Sequence, residues 1–150
     1  MRFQNLVENA FIAAAEMLYR RLPQPVPNHD RLKHCKLISH RGEHSPPKLL
    51  ENTISAFEVA VAGGVWGIEF DVRWTKDLHP VIIHDADLRR VFGALLEVRQ
   101  ATMAELNAQC TRVPTLAEMI QRYGKKIHLM IEIKAEHYPD AVAQNRILKE

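Results

Sequence analysis

The stretch VWGIEFDVRW, residues 65–74, decides the fold because it sets two carboxylates into the pattern of a buried strand. Side chains alternate across a β-strand, so Glu69 and Asp71 point to one face and the apolar residues between them point to the other. The apolar residues are Ile68, Phe70 and Val72. Two explanations fit the acidic face: a surface open to solvent, or a pair of carboxylates held together for chemistry.

Length and composition indicate a globular protein with one principal domain. The chain has 150 residues, of which 47% are hydrophobic and 25% charged, a composition typical of a packed core with a polar surface. A formal net charge of +2 and the lack of a Lys/Arg block argue against nucleic acid as a partner. Two cysteines, Cys35 and Cys110, form no disulfide framework, which favours a reducing compartment.

The N-terminal region is predicted to be separate from this domain. Apolar residues at helical spacing predict an amphipathic helix over residues 3–21, and three prolines then predict a linker over residues 22–30. The polar face of the helix includes Glu8 and Glu16, so packing on a protein surface is favoured over membrane contact. The short apolar run at residues 10–15 has neither the length of a membrane span nor the charges of a secretory signal, which predicts a cytoplasmic protein.

Strands and helices alternate after the linker, which divides the chain into residues 1–35 and a domain over residues 36–150. The order strand, helix, two strands, helix, strand and helix predicts an α/β fold with a mostly parallel sheet, as a layered sheet or part of a barrel. Asn52 or Thr53 is expected to cap the first of these helices. The predicted strands are 36–40, 65–74, 80–84 and 127–134, and the predicted helices run from residue 53 to 62, from 102 to 106, from 116 to 123 and from 139 to 149.

Ionisable residues follow or lie within each predicted strand. In parallel α/β folds, the carboxyl ends of the strands meet at one edge, where the site is built. We therefore expect these side chains to converge. They are His40 at the end of the first strand and Arg41 after it, Glu69 and Asp71 on the second, His84 at the end of the third, and Glu132 and Lys134 on the fourth.

The residue types suit the cleavage of a phosphodiester. Three carboxylates, from Glu69, Asp71 and Glu132, form an oxygen-only ligand set for a hard divalent cation, Ca²⁺ or Mg²⁺. Histidines can transfer protons near neutral pH, and Arg or Lys can contact phosphoryl oxygens. A simple ion pair between Lys134 and Glu132 is the alternative for that lysine.

Seven short motifs, in order, resemble the glycerophosphodiester phosphodiesterase family. They are HRG at 40–42, ENTISAF at 51–57, GIEFDV at 67–72, TKD at 75–77, VIIHD at 81–85, PTLAEM at 114–119 and IEIK at 131–134. The resemblance implies a TIM (β/α)8 barrel and metal-dependent hydrolysis of small glycerophosphodiesters to glycerol 3-phosphate and an alcohol. It also implies the residue roles. His40 and His84 match the acid/base pair, either of which can be the acid. Glu69, Asp71 and Glu132 match the metal ligands, and Arg41 and Lys134 match the phosphate contacts. Glu51 matches an acid that orients Arg41 or contacts the metal, unless it serves only the start of the helix.

The chain departs from the family in three respects. Leu78 stands where many members have glycine, a change that can alter the turn type and is not expected to affect the chemistry. The segment 87–100 matches the family only loosely. A complete barrel takes ~250 residues, whereas this chain covers about four strands, the N-terminal half. An open half-barrel exposes strand edges and apolar interior, so we expect self-association.

Two other functions compete with the diesterase. A lysophospholipase D-type enzyme on the same scaffold would use residues 3–21 at a lipid surface. A truncated, inactive fragment would bind metal or assemble with a partner without turnover.

Overall fold

The structure is a computed structural model in which residues 12–23, 25–135 and 140–149 are described. The chain divides into two compact units, Met1–Cys35 and Lys36–Glu150. In the first unit, residues 12–19 form helix α1 and His29–Lys33 form helix α2. The predicted N-terminal helix is therefore seen over residues 12–19, and its part before residue 12 lies outside the described residues. The predicted linker, residues 22–30, overlaps the start of α2 and is therefore too long. The Asn28 side chain accepts a hydrogen bond from the backbone N–H of Arg31, and α2 begins at the next residue, His29.

The second unit contains every strand and helix predicted for it, with small shifts in their bounds. The segment 85–100, for which no element was predicted, contains a short helix and a 3₁₀ turn. The strands are β1 Ile38–His40, β2 Gly67–Trp74, β3 Pro80–Ile82 and β4 His128–Ile133. The helices are α3 Ile54–Ala62, α4 Arg89–Phe92, α5 Met103–Gln109, α6 Leu116–Tyr123 and α7 Ala141–Ile147, and the 3₁₀ turn is Val98–Gln100.

Strand β2 is the centre of the sheet. β4 runs parallel to it along one edge, and β1 runs parallel to its first half along the other edge. β3 continues that second edge but runs antiparallel, with Ile82 paired to Val72. The expectation of a mostly parallel sheet therefore holds for β1, β2 and β4 and is wrong for β3. A parallel connection needs a dozen or more residues, and the five-residue turn 75–79 allows only a hairpin.

The apolar face of β2 builds the main core. Phe70 lies 6.0 Å from Phe57 of α3, measured between ring centroids, and Phe57 lies 6.3 Å from Tyr123 of α6. Burial of one such aromatic side chain contributes about 1.5–3 kcal/mol to folding. Because α3 and α6 cover this face, the acidic residues of β2 point to the opposite face of the sheet. A second cluster, which includes Val81, Ile83, Leu88, Val98 and Leu106, packs around β3.

Strand β4 has an uncovered side. Its residues Met130, Ile131 and Ile133 are 46%, 40% and 45% exposed. In the part of the chain that the structure describes, no strand pairs with the edge of β4 that faces away from β2. This arrangement agrees with half of a barrel. Self-association through this edge stays a prediction.

The turn between β2 and β3 accommodates leucine in place of glycine. Leu78 has a φ of 62°, the left-handed conformation that glycine adopts without steric cost. The backbone N–H of His79 donates to the Thr75 hydroxyl at 2.9 Å, and that hydroxyl donates to Asp77 at 2.7 Å. The turn therefore has a conformation suited to glycine, and Leu78 adopts it at a steric cost.

No helix within the described ranges has the length and apolar character needed to cross a membrane. The cytoplasmic location stays a prediction.

The close approach of the loop after β1 to α3 predicts different costs at two glycines. Gly42 has a φ of 77°, and a Cβ there would lie 2.8 Å from the carbonyl carbon of Ala56. Gly64 has a φ of 79° but has no atom within 4 Å of the same position. We expect Gly64→Ala to lower the free energy of unfolding by about 1 kcal/mol, the cost of the left-handed conformation. Gly42→Ala should cost about 3 kcal/mol, because overpacking against α3 adds to it. Urea denaturation measures both, and equal losses would contradict the packing of this loop on α3.

Candidate active site

Three carboxylates come together on the face of the sheet opposite the core. Glu132 of β4 pairs in register with Asp71 of β2, and Glu69 lies two residues before Asp71 on the same face. One ligand oxygen from each of the three lies within 4.8 Å of the others. The structure therefore brings together the three residues predicted as metal ligands. Glu69 and Asp71 lie within β2, as predicted, and β2 continues past them into the hairpin with β3.

Glu69 carries an unsatisfied acceptor. Its Oε2 is buried without a hydrogen-bond partner, and His40 Nε2 lies 3.7 Å away. Burial, and next the negative charge of Asp71, raise the pKa of Glu69 above its usual value. A bound cation would satisfy this oxygen and offset the repulsion. Together with the oxygen-only ligand set, this fits a hard divalent ion, so the cluster can hold a metal.

The side chain of Asp71 is 0% exposed, and three polar side chains contact its carboxylate. Lys134 Nζ lies 2.7 Å from Oδ1, Asn52 donates to Oδ2 at 2.8 Å, and Arg41 Nε lies 3.2 Å from Oδ2. Burial by itself would raise the pKa of Asp71. The hydrogen bonds from Lys134 and Asn52, with the charges of Arg41 and Lys134, outweigh it and lower that pKa. Asp71 is therefore ionised at neutral pH.

Lys134 bridges two of the three carboxylates. Its Nζ donates to Glu132 Oε1 at 2.6 Å as well as contacting Asp71. Burial would lower the pKa of Lys134, but hydrogen bonds to Asp71 and Glu132 raise it overall. The pairing of Lys134 with Glu132 considered from the sequence is thus present, and Asp71 is its second partner. A metal cation bound at the cluster would compete with the Lys134 ammonium for these carboxylate oxygens.

The loop between β1 and α3 takes two uncommon backbone conformations to reach the cluster. Arg41 and Asn52 have φ angles of 59° and 54°, and the Asn52 N–H donates to the Arg41 carbonyl at 3.0 Å. Arg41 is itself fixed by its N–H, which donates to the Glu69 carbonyl at 2.9 Å. Thr53 caps α3 by accepting from the Ala56 N–H, so Asn52 is left for Asp71. The sequence pattern predicts only a capping role for Asn52. Its tolerance of the left-handed region was the available signal for a further role.

Glu51 lies between two arginines. Arg41 donates to it at 3.1 Å, and Arg90 of α4 donates to it through two nitrogens at 2.9 and 2.7 Å. The Arg90 hydrogen bonds are the main reason that the pKa of Glu51 is lowered to about 2. The contact with Arg41 is the one that an orienting role requires. The sequence gives no motif that singles out Arg90, because segment 87–100 resembles the family only loosely.

His84 is fixed by its neighbour. Its Nδ1 lies 2.8 Å from Asp85 Oδ1, and Arg90 holds the pKa of Asp85 at about 2. An ionised carboxylate can only accept, so Nδ1 carries the proton and Nε2 holds the lone pair of the neutral ring. His84 follows an antiparallel strand, contrary to expectation. The hairpin still returns it to the level of the carboxylates, because the Ile83 N–H donates to the Asp71 carbonyl at 3.0 Å.

The fold and the site define a barrel-type α/β protein with a candidate cation cluster on the inner face of its sheet. The chain belongs to the glycerophosphoryl diester phosphodiesterase family, whose model matches residues 40–149.

Three similar proteins illustrate this membership. A glycerophosphodiester phosphodiesterase of Caldanaerobacter subterraneus is 37% identical over 111 residues, covering 66% of this chain and 45% of that protein. A mouse lysophospholipase D is 32% identical over 136 residues, covering 77% of this chain and 42% of that protein. The structure of an Oleispira antarctica phosphodiesterase in complex with the product sn-glycerol-3-phosphate aligns with a TM-score of 0.64 at 26% identity, covering 77% of this chain and 52% of that one.

The chain spans about half the length of the relatives it matches. The structural neighbours imply a TIM-barrel-type fold, and the four-stranded sheet is consistent with half of such a barrel.

The lowered pKa of Glu51 predicts a specific dependence of stability on pH. Its folded value of about 2 lies below the ordinary 4.5, so its ion pairs stabilise the fold fully above about pH 4.5. That contribution is lost as the pH falls towards 2. Glu51→Gln should lower the free energy of unfolding at pH 7 by about 2 kcal/mol. The difference from wild type should shrink on acidification.

Urea denaturation as a function of pH measures this effect. Glu58→Gln, at an exposed carboxylate of α3, is the matched control and should leave stability nearly unchanged. A wild-type advantage that stays constant from pH 7 to pH 2.5 would contradict the role of these ion pairs.

Proposed function

We propose that the chain carries the metal-binding and proton-transfer part of an active site that hydrolyses glycerophosphodiesters to glycerol 3-phosphate and an alcohol. The single observation that supports it most strongly is the cluster of Glu69, Asp71 and Glu132, with ligand atoms within 4.8 Å and an unsatisfied buried oxygen on Glu69. Family membership and the sn-glycerol-3-phosphate held by the Oleispira antarctica phosphodiesterase support the substrate class.

Glu69, Asp71 and Glu132 would hold Ca²⁺ or Mg²⁺ between β2 and β4. When bound, such an ion neutralises negative charge on phosphoryl oxygens and orients the diester. Lys134 would give up part of its contact with Asp71 and Glu132 and become available, with Arg41, to the phosphate. Glu51 keeps the Arg41 guanidinium in place, since it contacts Nη1 at 3.1 Å.

The two histidines would divide proton transfer. His84 has its Nδ1–H on Asp85, so Nε2 is the nitrogen that accepts a proton from the attacking hydroxyl or water, and Asp85 then stabilises the imidazolium. His40 Nε2 lies 3.7 Å from Glu69 Oε2, beside the carboxylate cluster, and would donate a proton to the leaving alcohol from there. The hydrogen bond from His84 Nδ1 to Asp85 supports the choice of His84 as the base, and His40 is then the proposed acid.

A lysophospholipase D-type reaction is the second candidate. It is supported by the match to the mouse lysophospholipase D, which covers 77% of this chain. The chemistry at the phosphate would be the same, and the apolar part of the substrate would differ. Deletion of residues 3–21 should abolish liposome binding if this candidate is correct and leave hydrolysis of water-soluble diesters unchanged.

Turnover tests the proposal directly. The protein is expected to hydrolyse glycerophosphocholine, to lose this activity with EDTA and to regain it with Ca²⁺ or Mg²⁺. His84→Ala should lower kcat about 10²–10⁴-fold, the usual contribution of general acid–base catalysis. His79→Ala, at a histidine of the β2–β3 turn, should retain activity. Turnover that survives complete chelation or survives His40→Ala would exclude the mechanism, and metal binding without any turnover would favour the inactive fragment.

Metal binding can be measured independently of turnover. Isothermal titration with Ca²⁺ and with Mg²⁺ should give one site in the wild type. Glu69→Gln should weaken it at least about tenfold, since it removes an anionic ligand. Glu58→Gln, on the far side of the core, should leave the dissociation constant unchanged. The same constant for wild type and Glu69→Gln would show that the cluster does not bind the ion.

A further inference from the structure

Arg90 connects the two loops that carry the proposed catalytic groups. It lies in α4, five residues after Asp85, and its guanidinium contacts two carboxylates at once. Nε and Nη2 donate to Asp85 at 2.6 and 3.0 Å, and Nη1 and Nη2 donate to Glu51 at 2.9 and 2.7 Å. Each carboxylate is thus gripped by two nitrogens of the same planar group, a geometry that arginine provides and lysine does not.

The contacts extend beyond these two acids. Glu51 also accepts from Arg41, and Asp85 also accepts from Nδ1 of His84. The charged groups therefore alternate in sign from Arg41 through Glu51 and Arg90 to Asp85, which accepts from the neutral His84 ring. The chain of contacts links a proposed phosphate contact to a proposed proton acceptor.

We propose that Arg90 is a positioning residue for His84: by clamping Asp85 against Glu51, it holds the His84 ring in one orientation with its proton on Nδ1. This inference deepens the proposed function and rests on it for the catalytic role of His84. Asp85 follows His84 directly in the chain, and without the clamp its carboxylate could rotate away from Nδ1. A neutral imidazole without such a partner favours the proton on Nε2, which would leave no lone pair on that nitrogen.

The tautomer of His84 can be observed by ¹⁵N NMR of the imidazole nitrogens on the whole chain. In the wild type at a pH above the titration of the ring, the Nδ1–H form should predominate. Arg90→Lys keeps the positive charge but lacks the planar fork, so the population should shift towards Nε2–H. Arg90→Gln, which lacks the charge, should shift it at least as far. Asp85→Asn is the positive control, because it removes the anionic acceptor.

Arg89→Ala is the matched control, since Arg89 lies beside Arg90 on α4 and contacts Asp87 instead. It should leave the tautomer unchanged. An unchanged His84 tautomer in folded Arg90→Lys and Arg90→Gln, alongside a shift in Asp85→Asn, would overturn the inference. A purely structural role would move the urea midpoint of the Arg90 variants without moving the tautomer, and would overturn it in the same way.

Kinetics separate this inference from the proposed function. In an active protein, Arg90→Lys should lower kcat about tenfold with little change in KM, because the phosphate contacts remain. If the wild type shows no turnover of glycerophosphocholine with Ca²⁺ or Mg²⁺, the proposed function fails. The tautomer comparison still decides whether Arg90 positions His84.

Discussion

The buried carboxylate of Asp71 is the constraint on which the rest of the site depends. An ionised group removed from water must be compensated by hydrogen bonds and opposite charge. The compensation comes from three side chains: Asn52 and Arg41 in the loop after β1, and Lys134 at the end of β4. The left-handed backbone of Arg41 and Asn52 is the local cost of bringing these groups to one carboxylate. The loop and both strands are thereby held in a single arrangement around it.

The second organising feature is the alternation of charge from Arg41 through Glu51 and Arg90 to Asp85. Individual surface ion pairs contribute little to stability. Here, however, Glu51 is nearly buried and Arg90 grips two acids, so removal of one member leaves charged groups without compensation. The network joins the loop after β1 to the segment after β3, two parts of the chain that the sheet itself does not connect, because β1 and β3 pair with different halves of β2.

The position of the carboxylate cluster explains why half a barrel can contain it. β2 contributes to both faces of the sheet: its apolar side chains pack under α3 and α6, and its acids lie on the opposite face. β4 adds Glu132 and Lys134 to that opposite face while its far edge and several apolar side chains remain exposed. The carboxylate cluster is therefore built wholly from neighbouring strands. The exposed flank of β4 is where the remaining strands of a complete barrel would begin.

The sequence by itself determined the local elements and the class of the protein. Period-two alternation in GIEFDV placed Glu69 and Asp71 on one face, a threonine and a glycine bounded α6 at its observed ends, and seven ordered motifs indicated the family that the comparisons confirm. Only the tertiary structure decided the direction of β3, the second partner of Lys134 and the involvement of Asn52 and Arg90. The physical reason is that a periodic pattern shows which face of an element is buried, whereas contacts between side chains far apart in sequence depend on how the elements pack. Arg90 and Glu51, separated by 39 positions, meet only because the hairpin and the loop after β1 converge.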